Sequence, residues 1–359
     1  MEFQAGDRVL GRYQVQGRIG GGVASRVYRA VRLSNGQVVA VKVLHGIPPG
    51  SHIAARFVRE ARLLTQVRHP AVVELLDFGQ LPDDALCIVT EFVEGHALDE
   101  LLLDLGPIPW PEVLRLALSI LSGLEAIHRA GVLHRNLTPA NIMVLPDPPV
   151  RVKILDLGFA KGSGDESEAP LTSAGETIGS PAYMAPEQVF GGKLTNRADI
   201  YSTALILWEL LTGKQPFPSA TMAHLVTRAK EQLPPPAPPP SCPPVHPALA
   251  AVLRKAASPQ PEDRFPSARA FADGLREARR IAQRAAPREA RRDSRVPLAA
   301  ASSEPVLRQA SGPRVRAAGP PPGPPTAPRS RRARFAEDAA TEPDLPAIQR
   351  DAQGRGVLP

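Results

Sequence analysis

Three short stretches hold side chains whose types and spacing suit work on phosphate. Lys42 closes the apolar run Val39-Ala40-Val41, placing a cation near the end of a candidate strand. Downstream, His134-Arg135-Asn136-Leu137-Thr138-Pro139-Ala140-Asn141 offers a loop with two amides, and Asp156-Leu157-Gly158 adds a carboxylate. A lysine at the end of such a strand can contact phosphate oxygens, and a loop with amides beside a carboxylate adds polar groups that could act nearby. Upstream of all three lies Gly20-Gly21-Gly22-Val23-Ala24-Ser25, a glycine-rich turn. A dinucleotide-binding turn would open a helix, whereas this one runs into Val27-Tyr28-Arg29-Ala30, a strand pattern that suits a hairpin folded over phosphates. A plain hairpin turn has the same composition, so the order of the stretches carries more than any one of them.

Apolar periodicity outlines the elements that must hold these residues. Alternation over 12–44 reads as three strands, 13–19, 26–31 and Val38–Leu44. Residues 54–66 place Phe57, Ala61 and Leu64 at helical spacing around Glu60, His69-Pro70 ends that helix, and 72–78 and Leu86–Glu91 read as two more strands. A helical region starts over 98–103. The stretch 111–130 is a long amphipathic helix with Val113, Leu114, Ala117, Ile120, Leu121, Leu124 and Ile127 inward, and it delivers the chain to His134. Short strands at Ile142–Val144 and Val152–Ile154 precede Asp156, and helices follow over 200–211, 248–255 and 268–280.

In this order the motifs resemble those of a eukaryotic-type serine/threonine protein kinase of the bacterial kind, over roughly residues 12–276. The resemblance implies an α+β, protein kinase-like bilobal fold. A small β-rich N-lobe would span about 12–92 and a larger helical C-lobe about 93–279, followed by a disordered Arg/Pro/Ala-rich tail over 280–359. It implies ATP and Mg2+ as cofactors, with Ile19, Gly20, Gly22, Val27, Ala40, Lys42, Thr90, Glu91, Val93 and Met143 around the nucleotide. Thr90 would be the gatekeeper and Glu91 to Val93 the hinge whose backbone binds adenine. Glu60 would pair with Lys42 and hold it on the phosphates, and Asn141 and Asp156 would hold the metal. The stretch 179–187, ending in Ala185-Pro186-Glu187, resembles a substrate-docking strip with Ser180 for the usual threonine. Glu187 would pair with Arg264, and Asp199 would tie down the catalytic loop. Thr172, Ser173 and Thr177 are candidate phosphorylation sites whose phosphate could pair with Arg135.

The sequence departs from the family pattern at several positions. Ser25 stands at the third glycine of G-x-G-x-x-G, and Leu157 replaces the usual Phe while keeping an apolar packing residue. Two departures concern transfer itself. Asn136 replaces the catalytic aspartate, and an amide can orient a hydroxyl but cannot take its proton at neutral pH. Thr138 replaces the lysine that reaches the γ-phosphate, which removes charge stabilisation from the transition state. A general base is worth roughly 10²–10⁴-fold, so a turnover of about 1–100 s⁻¹ would fall to roughly 10⁻⁴ to 1 s⁻¹ from the first loss alone. The expectation is an Mg-ATP-binding pseudokinase or severely weakened serine/threonine kinase. The alternative is an active enzyme transferring the ATP γ-phosphate to protein Ser or Thr.

Composition bounds the rest. The 359 residues include 41 prolines, concentrated at 233–247 and after 286, and two cysteines far apart without metal-ligand spacing. All of the net +7 sits in 280–359, which holds 15 Arg against 8 Asp and Glu. No run approaches the length of a membrane span and the start MEFQAGDRVL does not read as a signal peptide, so a cytoplasmic protein is expected. The expected partners are ATP and a protein partner or substrate, another kinase among the candidates. The arginine tail could bind acidic partners, and with Phe335 as its sole aromatic no specific nucleic acid is expected. The proline run 233–247 could adopt polyproline II or serve as a connector.

Overall fold

A computed structural model describes residues 2–22, 25–47, 50–146, 151–156, 181–217, 231–285, 349–350 and 356–357. The first lobe is built on an antiparallel sheet of β1 (Arg8–Val9), β2 (Tyr13–Gly21), β3 (Ser25–Arg32), β4 (Val38–Leu44), β5 (Leu75–Gln80) and β6 (Leu86–Glu91). Its spatial order is β1-β2-β3-β4-β6-β5. Alternation divides its two faces. Tyr28, Ala30, Val39, Val41, Cys87 and Val89 are buried in the lobe's own core, whereas Val27, Ala40, Lys42 and Thr90 lie on the opposite, half-exposed face.

Helix α1 (His52–Leu64) starts where Ser51 caps it, its hydroxyl accepting from the Ala54 N–H at 3.2 Å. It buries Phe57, Ala61 and Leu64, as the periodicity requires. Two features of this lobe differ from expectation. The strand expected over 72–78 starts at Leu75, because Val72 is committed to a lone parallel bridge with Ile154. The N-terminal segment also joins the fold: Phe3 packs edge-on against Tyr28 at 5.7 Å and β1 extends the sheet.

The second lobe opens with β7 (His96–Ala97), α2 (Leu98–Leu105) and α3 (Trp110–Arg129). Strands β8 (Ile142–Val144) and β9 (Val152–Ile154) join β7 in a small sheet of order β7-β8-β9, and α4 (Pro186–Phe190), α5 (Asn196–Thr212), α6 (Pro247–Ala256) and α7 (Ala268–Ala285) complete the lobe. All seven expected inward residues of α3 are buried. Helix α5 shows no amphipathic stripe because it is buried around its whole circumference from Ala198 to Leu207, the position of a core helix. The closing helix runs to Ala285, past the 280 at which the tail was expected to begin. Residues 286–348 of that tail lie outside the described residues; beyond them Gln349–Arg350 pairs antiparallel with Gly356–Val357. Among the described residues no helix is long and apolar enough to cross a membrane.

Gly123 lets α3 approach the site. A methyl there would lie 2.9 Å from Ile154 Cδ1 and 3.0 Å from the Ala71 carbonyl, which is itself pinned by the Ile154 N–H at 2.9 Å. Overpacking of about 1–3 kcal/mol exceeds the helix propensity gained, about 1 kcal/mol. Gly123→Ala is therefore expected to lower unfolding free energy in urea titration, and an unchanged or raised midpoint would refute the close approach.

Candidate functional site

The sheet register gathers the upper half of the site. Gly20 faces Val27, Val27 faces Lys42, and Ala40 faces Thr90, so these positions share one face of the sheet. Ile19 projects from β2 with 51% of its surface exposed. The turn closes when Gly22 donates its N–H to the Ser25 carbonyl at 2.9 Å. Gly21 adopts φ +122°, and a Cβ there would fall 2.4 Å from the Ser25 oxygen, so the position requires glycine. Val23 and Ala24 lie outside the described residues. Met143 sits on β8 opposite Ala97 and Lys153, and Thr90 and Glu91 end β6 just before Val93.

The lower half hangs on Asp199, a buried residue in the first turn of α5. Its carboxylate accepts the backbone N–H groups of His134 at 2.9 Å and Arg135 at 2.8 Å, and it also bonds His128 Nε2 at 2.7 Å. Burial pushes its pKa up, but the His128 contact and the His134 backbone bond outweigh that, and the net shift is downward. These bonds hold Arg135 in left-handed backbone at φ 62°. His134, fully buried, bonds the Leu155 carbonyl through Nε2 at 2.8 Å, and Gln188 donates to the Arg135 carbonyl at 2.8 Å. Asn141 Nδ2 donates to the Asn136 carbonyl at 2.9 Å, and the Leu155 N–H donates to the Asn141 carbonyl at 2.8 Å. The loop bearing Asn136 and the strand end bearing Asp156 are thus one hydrogen-bonded unit. Thr138 is buried at the start of the 3-10 turn Pro139–Asn141.

The expected Lys42–Glu60 pair is not formed. Lys42 Nζ donates to Asp156 Oδ1, and Glu60 Oε1 pairs with Arg135 Nη1 at 2.9 Å. A desolvated carboxylate must meet a cation, and Glu60 is buried against the guanidinium that the left-handed Arg135 backbone carries toward α1. Arg135 is therefore already paired, and the phosphate partners proposed for it, Thr172, Ser173 and Thr177, lie outside the described residues with Leu157, Gly158 and Ser180. The Glu187–Arg264 pair forms as expected, bidentate at 2.6 and 2.9 Å.

The residues present fit Mg2+. Asn141 uses its Nδ2 in the loop, which leaves Oδ1 as a ligand atom, and Asp156 contributes a carboxylate 28% exposed. Among the described residues no group of three or more His, Cys, Asp or Glu side chains converges as a metal site. Two oxygen ligands match the way Mg2+ is held, by few protein groups with substrate phosphates and water. Three participants were not foreseen: His128 and Gln188, which brace the loop, and Lys153, which bonds Glu91.

A family model described as protein kinase domain matches residues 13–273. The chain is 40% identical over 271 residues to serine/threonine-protein kinase pkn3 of Myxococcus xanthus, covering 74% of this chain and 50% of that protein. It is 32% identical over 264 residues to serine/threonine-protein kinase PrkC of Bacillus subtilis, covering 73% of this chain and 40% of that one. The chain thus spans half or less of the length of these curated relatives. Among solved structures, the Mycobacterium tuberculosis PknI kinase domain superposes with a TM-score of 0.61 at 27% identity, over 77% of this chain and all of that one.

Proposed function

This chain belongs to the protein kinase family, in its bacterial serine/threonine branch, and we propose that it binds Mg-ATP through residues 12–279 but transfers the γ-phosphate weakly or not at all. It would act in the cytoplasm as a signalling protein whose nucleotide-dependent conformation is read by a protein partner. The observation that supports this most is a loop held in place by Asp199, carrying Asn136 where the transfer carboxylate belongs. Bound Mg-ATP would supply the phosphoryl group and the charge-neutralising metal. Lys42, once released from Asp156, would hold phosphate oxygens, and Asn141 and Asp156 would hold the metal. Asn136 would orient a hydroxyl but could not accept its proton. The buried Thr138 brings no cation to the γ-phosphate.

One observation favours the second reading, an active serine/threonine kinase. The loop backbone, its Asp199 anchor and the Glu187–Arg264 pair are all in place, as an active site of this family requires.

Nucleotide binding is tested by thermal unfolding with Mg-ATP. Ligand at 100 times its Kd stabilises by about 2.7 kcal/mol, and each kcal/mol moves the midpoint by about 2–4 °C for a domain of this size. Wild type should rise by several degrees and Lys42→Ala should not. No rise in wild type would remove the nucleotide reading, and equal rises would remove the role of Lys42.

A further inference from the structure

Residues 71–74, between α1 and β5, are stitched to strands on both sides. Toward β9, the Ile154 N–H donates to the Ala71 carbonyl at 2.9 Å and the Val73 N–H to the Ile154 carbonyl at 3.0 Å. Toward β6, the Glu91 N–H donates to the Glu74 carbonyl at 3.0 Å, and the Glu74 N–H donates to Glu91 Oε1 at 2.8 Å. One side chain joins the two seams. Lys153 Nζ, on β9, donates to the Val72 carbonyl at 3.2 Å and to the same Glu91 Oε1. Both side chains are largely withdrawn from water, with 17% of Lys153 and 26% of Glu91 exposed.

The placement of these two residues gives the bond its consequence. Lys153 lies three positions before Asp156, on the strand that delivers the candidate metal ligand. Glu91 opens the 91–93 segment against which adenine would lie. We propose that Lys153 is a positioning residue for the nucleotide: by fixing the Glu91 carboxylate it sets the adenine-facing backbone relative to the strand that carries Asp156. This rests on the Mg-ATP reading above. A charge-assisted bond to a half-buried carboxylate is shorter and stronger than a neutral one. Without the ammonium, Glu91 keeps the Glu74 N–H and turns its remaining capacity toward water, and the start of the 91–93 segment moves with it.

A purely structural lysine would weaken every ligand alike, so the test separates the two ends of the nucleotide. Binding of adenosine, Mg-ATP and Mg-tripolyphosphate is measured by calorimetry on the full chain for wild type, Lys153→Met and Lys153→Arg. Lys153→Met should weaken adenosine and Mg-ATP by about tenfold while tripolyphosphate stays within about twofold, and Lys153→Arg should recover most of the loss. In the ligand-free protein, Lys153→Met should also speed amide exchange at Glu74 and Glu91. If wild type binds Mg-ATP while Lys153→Met leaves all three ligands unchanged or weakens them equally, the assignment is overturned and the nucleotide reading stands. If wild type binds none of them, both fall. Should Lys153→Met fail to fold, Glu91→Gln keeps the shape without the charge; the same adenosine-selective loss supports the assignment and its absence overturns it.

Discussion

Asn136→Asp combined with Thr138→Lys should raise phosphate incorporation by about 10²–10⁴-fold over the unaltered chain, the range a positioned general base supplies. The loop backbone can receive both side chains. The Asn136 backbone is held by bonds of its own, its N–H donating to the His134 carbonyl at 2.8 Å and its carbonyl accepting from Asn141. A carboxylate at this position therefore inherits a loop already in place. Thr138 flanks the following 3-10 turn with extended backbone and makes no side-chain cap bond, so lysine there forfeits no capping interaction. Asn136→Asp alone should carry most of the gain, with Thr138→Lys adding charge stabilisation at the transferring group. Equal rates in wild type, single and double variants would mean that the loop chemistry does not limit transfer.

Arg264→Met should cost about 3–5 kcal/mol of folding free energy, the range for breaking one side of a buried ion pair. Arg264 is 2% exposed and holds both Glu187 oxygens. It also donates to the carbonyls of Ser258 at 2.7 Å, Pro259 at 2.9 Å and Arg197 at 3.0 Å, and its guanidinium stacks 4.7 Å from the Tyr201 ring centroid. Methionine fills much of the volume but leaves a buried carboxylate without its cation and three carbonyls without their donor. Because Glu187 lies in α4 at the end of the 179–187 strip, the loss falls on the candidate docking surface as well as on the lobe. Chemical denaturation measures it; a loss under about 1 kcal/mol would place the pair among surface-like bridges.

Much of this architecture was legible because alternation and helical spacing report burial directly. Val38–Leu44 and Leu86–Glu91 were read to the residue, and every inward position named on α3 is buried. The Glu187–Arg264 pair and the Asp199 anchor came with the family resemblance and are found in place. The partner of Glu60 was not legible. Spacing puts a carboxylate one helix away from Lys42, but which cation it meets is decided by the tertiary approach of α1 to Arg135, 75 residues away. Lys153 escaped notice for a related reason. On a three-residue strand it reads as a solvated charge, and its partner Glu91 lies 62 residues earlier. The N-terminal strand escaped because two residues, Arg8–Val9, are too few to show a period.

The most direct test is single-turnover transfer from γ-labelled Mg-ATP at saturating nucleotide, with occupancy measured in the same sample and Lys42→Ala as background. Full occupancy with incorporation below about 1 s⁻¹, down to the Lys42→Ala background, is the expected result. Occupancy with transfer well within the ordinary kinase range of about 1–100 s⁻¹, lost in Lys42→Ala, would contradict it and establish an active serine/threonine kinase that works without a carboxylate at residue 136.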